Sequence, residues 1–271
     1  MATLSASARP STTMRLVRYA PLGRCLYCLA SGVPLTEEHL IPRALGGRLT
    51  LPDAVCEPCR RSTGRLEQAT LDREFLVPKT LLALKRRRAR GKGPSRLPAV
   101  LLAGDDAPST LAADAFPRSF SLAAFEPAGL LRGVDRASAS PRVDFVDCRL
   151  NLGTPMRQTT AATTPLLDPR AYAYSLAKWA YALAVAERGL DGCDAQPMRD
   201  LMLGQRHDAF AFVGTPSPRA PASREWLHDF AVKEQGPWLT VELSLFASAG
   251  MTPCEVVVGR LPEPSTRTRP A

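Results

Sequence analysis

The chain has 271 residues, 45% of them apolar, and a net charge of +9. That suits one large or two modest globular domains with a real core and argues against a fibrous or compositionally disordered chain. No stretch approaches the ~18 consecutive apolar residues of a membrane span, and no secretory apolar region is evident. The aromatic share of 6% does not indicate a base-stacking platform of the single-strand-binding kind.

In chain order, residues 1–36 hold no acid and are rich in Ser, Thr and Arg. An organelle transit peptide has that composition. No amphipathic helix is evident, however, so residues 1–20 are expected to be a flexible basic tail. A small module over 21–75 follows. Residues 35–40 and 49–55 are short enough for two strands, with Pro42, Gly46 and Gly47 in the loop between them. From Cys56 onward Leu66, Ala69, Thr70 and Arg73 recur at helical spacing; Gly64 weakens that helix locally. Pro78 permits a second helix start in a basic connector over 76–98, which Gly91, Gly93 and Pro94 end. The rest, 99–271, reads as a larger region of helices and strands. Residues 143–150 form a plausible strand. Residues 172–187 form the clearest helix, with Tyr172, Leu176, Ala180, Leu183 and Ala184 as one apolar stripe and Gly189 capping it. A Pro/Ser/Ala loop covers 214–222. Residues 239–245 alternate apolar and polar, and with 255–258 they predict a closing hairpin. The fold class expected is α+β.

Charge is unevenly placed. Residues 60–96 contain twelve Lys/Arg against Glu67, Asp72 and Glu74, a surplus equal to the whole net charge. A neutral body with one basic segment suggests a polyanion partner; the bland alternative is a solvated basic helix end. Arg43, Arg60, Arg61, Lys85, Arg86, Arg87, Arg88, Arg90 and Lys92 are the candidate nucleic-acid contacts.

Cys25-x-x-Cys28 and Cys56-x-x-Cys59 are two pairs separated by 27 intervening residues. Four thiolates suit tetrahedral Zn²⁺, and a module of this size needs such a staple to fold securely. Metal-type cysteine pairs also make a reducing cytoplasm the expected compartment. Cys148, Cys193 and Cys254 read as buried apolar residues. Between the pairs stands Glu37-Glu38-His39. A neutral imidazole can take a proton from water, and an adjacent carboxylate can hold a hard cation such as Mg²⁺, a combination that fits phosphodiester hydrolysis. Equally, His39 could be a further zinc-ligand candidate or a capping residue. His207 and His228 read as surface or structural, and Trp179, Trp226 and Trp238 as core.

Cys25-Leu-Tyr-Cys28, Leu35-Thr-Glu-Glu-His39-Leu-Ile-Pro42-Arg-Ala-Leu-Gly46-Gly47 and Val55-Cys56-Glu-Pro-Cys59 closely resemble the zinc-knuckle HNH endonucleases. The tract from Ala177-Lys178-Trp179-Ala180 to Asp191-Gly192 more weakly resembles regions that follow such modules in bacterial proteins. The resemblance implies a small zinc-stabilised ββα-metal module followed by a larger mixed α+β C-terminal region. It also implies a metal-dependent endonuclease acting on nucleic acid, DNA in the first instance. It assigns Cys25, Cys28, Cys56 and Cys59 to structural zinc, Glu38 to the catalytic metal, and His39 to the role of general base. The chain departs from the family at Arg60, where a metal-binding Asn or His often stands. Asp53 most nearly meets the middle position and could orient His39. Glu67, on the same helical face as Thr63 and Cys59, is a conjectured replacement metal ligand. The alternative is a catalytically degenerate nucleic-acid-binding module.

Overall fold

A computed structural model describes residues 14–84, 96–101, 108–113, 115–116, 119–135, 142–149, 162–163, 168–216 and 225–263. The expected contacts Lys85, Arg86, Arg87, Arg88, Arg90 and Lys92 lie outside them, as does most of the expected tail. Val17–Arg18, inside the stretch read as tail, forms β1. β2 (Leu35–His39) and β3 (Leu49–Cys56) pair antiparallel, and β1 adds to β3 in parallel. Cys56 stands at the N-cap position of α1 (Glu57–Asp72) without a side-chain capping bond, and the helix's first turn carries Pro58, a residue with no amide hydrogen to lose there. α1 runs through Gly64 without a break. α2 (Leu76–Leu81) begins two residues before Pro78, which again places the proline in a first turn.

The C-terminal region supplies β4 (Arg96–Leu101), β5 (Pro108–Ala112), β6 (Ser119–Phe125), β7 (Val143–Arg149) and β8 (Ala162–Thr163). β6 pairs with β7, and β4 lies between β5 and β8. Then come α3 (Pro169–Arg188), α4 (Gln196–Met202), α5 (Ala209–Phe212), β9 (Val213–Gly214), β10 (Asp229–Gln235), β11 (Trp238–Ser244) and β12 (Cys254–Arg260). The last four strands form one sheet in the order β10-β11-β12-β9. The expected closing hairpin is therefore the middle of a larger sheet. The strand missed by pattern, β10, is mostly polar and half exposed, so it offers little alternation to read.

α3 is the spine. Asp168 caps it by accepting from the Arg170 and Ala171 amides. The predicted single stripe is instead an all-round surface: every residue from 171 to 185 is buried. A helix apolar on all sides belongs at a protein's centre. One side packs on α1, the other on β11 and β12, and a contiguous cluster of buried side chains runs through both. Trp179 is fully buried in it, while Trp226 and Trp238 are half-buried. Among the described residues no helix is long and apolar enough to cross a membrane.

Candidate metal centre and reactive face

The two cysteine pairs converge. Cys25 and Cys28 lie on a tight turn closed by hydrogen bonds from Cys25 N to Ala30 O and from Leu29 N to Cys25 O, both 2.8 Å. Cys56 ends β3, and Cys59 sits in the first turn of α1. All four sulfur atoms lie within 4.8 Å of one another, and Cys28 and Cys56 are 3.6 Å apart. Tetrahedral zinc with Zn–S bonds of roughly 2.3 Å separates its sulfurs by roughly 3.8 Å, so the tetrad fits that ion. Burial pushes the Cys59 thiol well up, and a cation is what holds such thiols as thiolates. His39 is not part of this cluster. Among the described residues the tetrad is the one group of three or more His, Cys, Asp or Glu placed to share an ion.

β2 divides the Glu-Glu-His triplet between its faces. Side chains alternate along a strand, so Glu37 and His39 share a side while the buried Glu38 points to the other. Glu37 Oε1 is 3.6 Å from His39 Nε2, an electrostatic partner at more than hydrogen-bond range. Arg18 Nη1 from β1 meets Glu37 Oε2 at 2.6 Å, and Arg43 Nη2 reaches Oε1 at 3.5 Å. Arg43 is aimed by the loop after β2. Leu40, Ile41 and Leu45 are buried there, and Gly46 is left-handed at φ 85°. Gly47 N donates to Pro42 O at 3.1 Å. A Cβ on Gly47 would lie 1.9 Å from the Ile41 carbonyl oxygen, so only glycine lets the loop fold back this closely. The result is an imidazole and a carboxylate, each a little over a quarter exposed, flanked by two exposed guanidinium groups.

Behind the strand, Glu38 enters a closed cluster. Tyr27 Oη donates to its Oε1 at 2.9 Å, and Lys178 Nζ from α3 is 3.1 Å from the same oxygen. The same ammonium donates to Glu67 Oε1 at 2.8 Å, where Trp179 Nε1 also donates at 2.6 Å. Glu38 and Glu67, read separately from the sequence as metal ligands, are thus brought together, with an ammonium between them. Burial works to lower the Lys178 pKa, but the two carboxylates outweigh it and hold the ammonium above its ordinary range. Burial pushes the Glu38 carboxyl up, and neighbouring Glu67 adds to this against the pull of Lys178. The shared face of Cys59, Thr63 and Glu67 is the face α1 turns toward α3. Thr63 is buried and donates to Cys59 O at 3.0 Å, and one turn past Glu67 Thr70 donates to Ala171 O at 3.0 Å.

Arg60 lies outside both groupings. It donates two 2.8 Å hydrogen bonds to Glu57, which Arg61 also approaches at 3.4 Å. Asp53 is exposed on β3 in a left-handed conformation at φ 47°, which Asp tolerates better than most residues. Its carbonyl accepts from Gly23 N at 3.0 Å, and Thr50, three residues earlier, is the partner of His39 across the sheet. His207 is exposed, whereas His228 is buried against the loop that follows β2. Arg206, beside His207, is paired with Asp208.

Residues 25–76 match the HNH endonuclease family. The matched segment comprises the cysteine tetrad, the β2–β3 hairpin and α1. No curated protein and no solved structure matches the chain. The matched segment explains the pattern read from the sequence, but three residues around Glu38 and His39 were given no role there. Glu37 was visible in principle, since a period of two puts it beside His39. Lys178 carried a signal too: a lysine in an apolar helical run demands a buried acid. Arg18 had none beyond its charge.

Proposed function

We propose that this HNH module hydrolyses phosphodiester bonds in nucleic acid, DNA being the substrate class, with His39 as general base. The observation that carries the reading is the accessible His39–Glu37 pair flanked by Arg18 and Arg43. Neutral His39 takes a proton from water as the oxygen attacks phosphorus. The bond from phosphorus to the leaving oxygen breaks, and that oxygen is protonated from solvent. Glu37 offsets the charge that develops on the imidazolium. Arg43 and Arg18 present planar donor forks suited to non-bridging phosphate oxygens, and the basic residues 85–92 extend the same attraction. A divalent cation, when bound, supplies further charge neutralisation on the phosphate; on the His39 face the carboxylate suited to hold it is Glu37. The Cys25, Cys28, Cys56 and Cys59 tetrad holds zinc as a structural ion.

The test is plasmid cleavage by wild type and His39→Ala across a panel of divalent metals, with zinc content measured in both. Loss of cleavage in a zinc-loaded, folded variant is expected; undiminished cleavage would refute the assignment. A second reading is nucleic-acid binding without turnover. It is favoured by Lys178 standing between Glu38 and Glu67 and by Arg60 at a position the resemblance gives to a metal ligand. It predicts salt-sensitive binding with no product under any metal in the panel.

A further inference from the structure

The Lys178 ammonium is the least expected charge in the molecule. It sits midway along a helix that is buried for fifteen consecutive residues, 171–185, where an unpaired charge is not tolerated. Its two acids arrive from separate elements, Glu38 from β2 and Glu67 from α1, and both place Oε1 on the one nitrogen, at 3.1 and 2.8 Å. The same two oxygens take their remaining hydrogen bonds from neutral donors, Tyr27 Oη and Trp179 Nε1. Two carboxylates converging on a single point form the arrangement that binds a small hard cation. Here the point is filled by the ammonium of a side chain that is itself only 5% exposed. Mg²⁺ would need oxygens at roughly 2.0–2.1 Å, closer than either now stands to the nitrogen. It would also need to sit beside an existing positive charge.

We propose that Lys178 is a built-in replacement for a divalent cation. Its ammonium occupies the place where Glu38 and Glu67 would share a metal ion, so the native protein takes no Mg²⁺ or Mn²⁺ at this pair, and removing the ammonium turns the pair into a metal site. Lys178 is therefore a positioning residue. It fixes Glu38, and through β2 it fixes the strand that carries Glu37 and His39, by a charge that the chain itself supplies.

The experiment is a Mn²⁺ titration of the full-length, zinc-loaded protein, following free Mn²⁺ by electron paramagnetic resonance. Wild type is expected to bind no Mn²⁺ that Glu67→Gln removes. Lys178→Ala is expected to gain about one Mn²⁺ per chain, and adding Glu67→Gln to it should weaken that binding by about tenfold or more. Mn²⁺ bound by wild type and lost in Glu67→Gln would overturn the proposal, as would a folded Lys178→Ala that binds no more than wild type. If Lys178→Ala is poorly folded, its melting temperature decides. Mn²⁺ must raise it by more than it raises that of Glu67→Gln/Lys178→Met, which keeps the cluster's net charge and retains Glu37. A rise no larger than that of the double variant would equally overturn the idea. Cleavage is never read, so the outcome is independent of whether His39 hydrolyses anything.

Discussion

His228 makes the stability of this protein depend on pH in a window that can be calculated. The ring sits just before β10 and ties two distant backbones together. Phe246 N donates to Nδ1 at 3.1 Å, which makes Nδ1 the acceptor, so Nε2 carries the hydrogen and donates to Leu45 O at 2.8 Å. The neutral ring is fully satisfied. A proton added at Nδ1 would face the Phe246 N–H, and the ring is buried against the edge of the Phe246 aromatic ring. Burial therefore pulls the pKa from 6.5 down to about 4, against a small opposing effect of the Leu45 carbonyl. For a base whose folded pKa is depressed, the folded state binds fewer protons than the unfolded one. Its contribution to stability is complete above pH 6.5 and is lost as pH falls through the window down to about 4.

The size of the effect follows from linkage. The full loss is about 3 kcal/mol, and about 1.4 kcal/mol of it falls between about pH 7.5 and about pH 5.5. His228→Gln retains a donor for Leu45 and does not titrate. Urea unfolding of both proteins at those two pH values isolates the group, because any protonation at the cysteine tetrad affects both alike and cancels in the difference. The stability advantage of wild type should shrink by about 1.4 kcal/mol on acidification, with equal urea m-values. An advantage that stays constant would refute the argument, because it would mean that the imidazole takes up its proton without leaving its two backbone partners.

Two further perturbations test the reactive face. Arg18→Ala/Arg43→Ala should weaken DNA binding and flatten its dependence on the logarithm of salt concentration by about one to two units, roughly one per lost phosphate contact; an unchanged slope in fluorescence anisotropy would remove these arginines from the interface. Gly47→Ala forces a methyl group to within 1.9 Å of the Ile41 carbonyl oxygen, so it should cost about 1–3 kcal/mol or more and lower the melting temperature by several degrees. Gly64→Ala is its control: it meets nothing within 4 Å and should gain roughly 0.5–1 kcal/mol.

What could be read from the sequence was local. The cysteine spacing led to a tetrad whose sulfurs meet, and β2, β3, α1 and α3 were anticipated to within a few residues, the strands from short runs either side of a Pro/Gly loop and the helices from their periodicity. Two things escaped. Glu38 and His39, adjacent in sequence, were read as neighbours in space, yet a strand sends them to opposite faces and gives His39 the company of Glu37 instead. The partners of Glu38 come from 11 and 140 positions away in numbering, at Tyr27 and Lys178, and no local pattern reports a contact of the second kind. The single apolar stripe predicted for α3 failed for the same reason. A sequence shows which residues prefer burial, but here Ser175 and Lys178 are buried as well, because α1 and β2 bring them partners.

That arrangement gives α3 a role beyond filling the core. Tyr181 Oη donates to Leu26 O inside the first cysteine knuckle at 2.6 Å. Lys178 holds Glu38 on β2, Trp179 holds Glu67 on α1, and Ser175 Oγ donates to Thr70 Oγ1 at 2.9 Å. One helix thus grips the knuckle, the strand that carries His39, and α1 of the matched segment, while its other side rests on the C-terminal sheet. Each such buried hydrogen bond contributes only about 1 kcal/mol net, but leaving its partner unsatisfied costs more. Without α3, the matched segment would retain two facing carboxylates with no ammonium between them. The strand that carries His39 is therefore held on one side by β3 and anchored on its buried face by Lys178, more than a hundred positions beyond the motif that contains it.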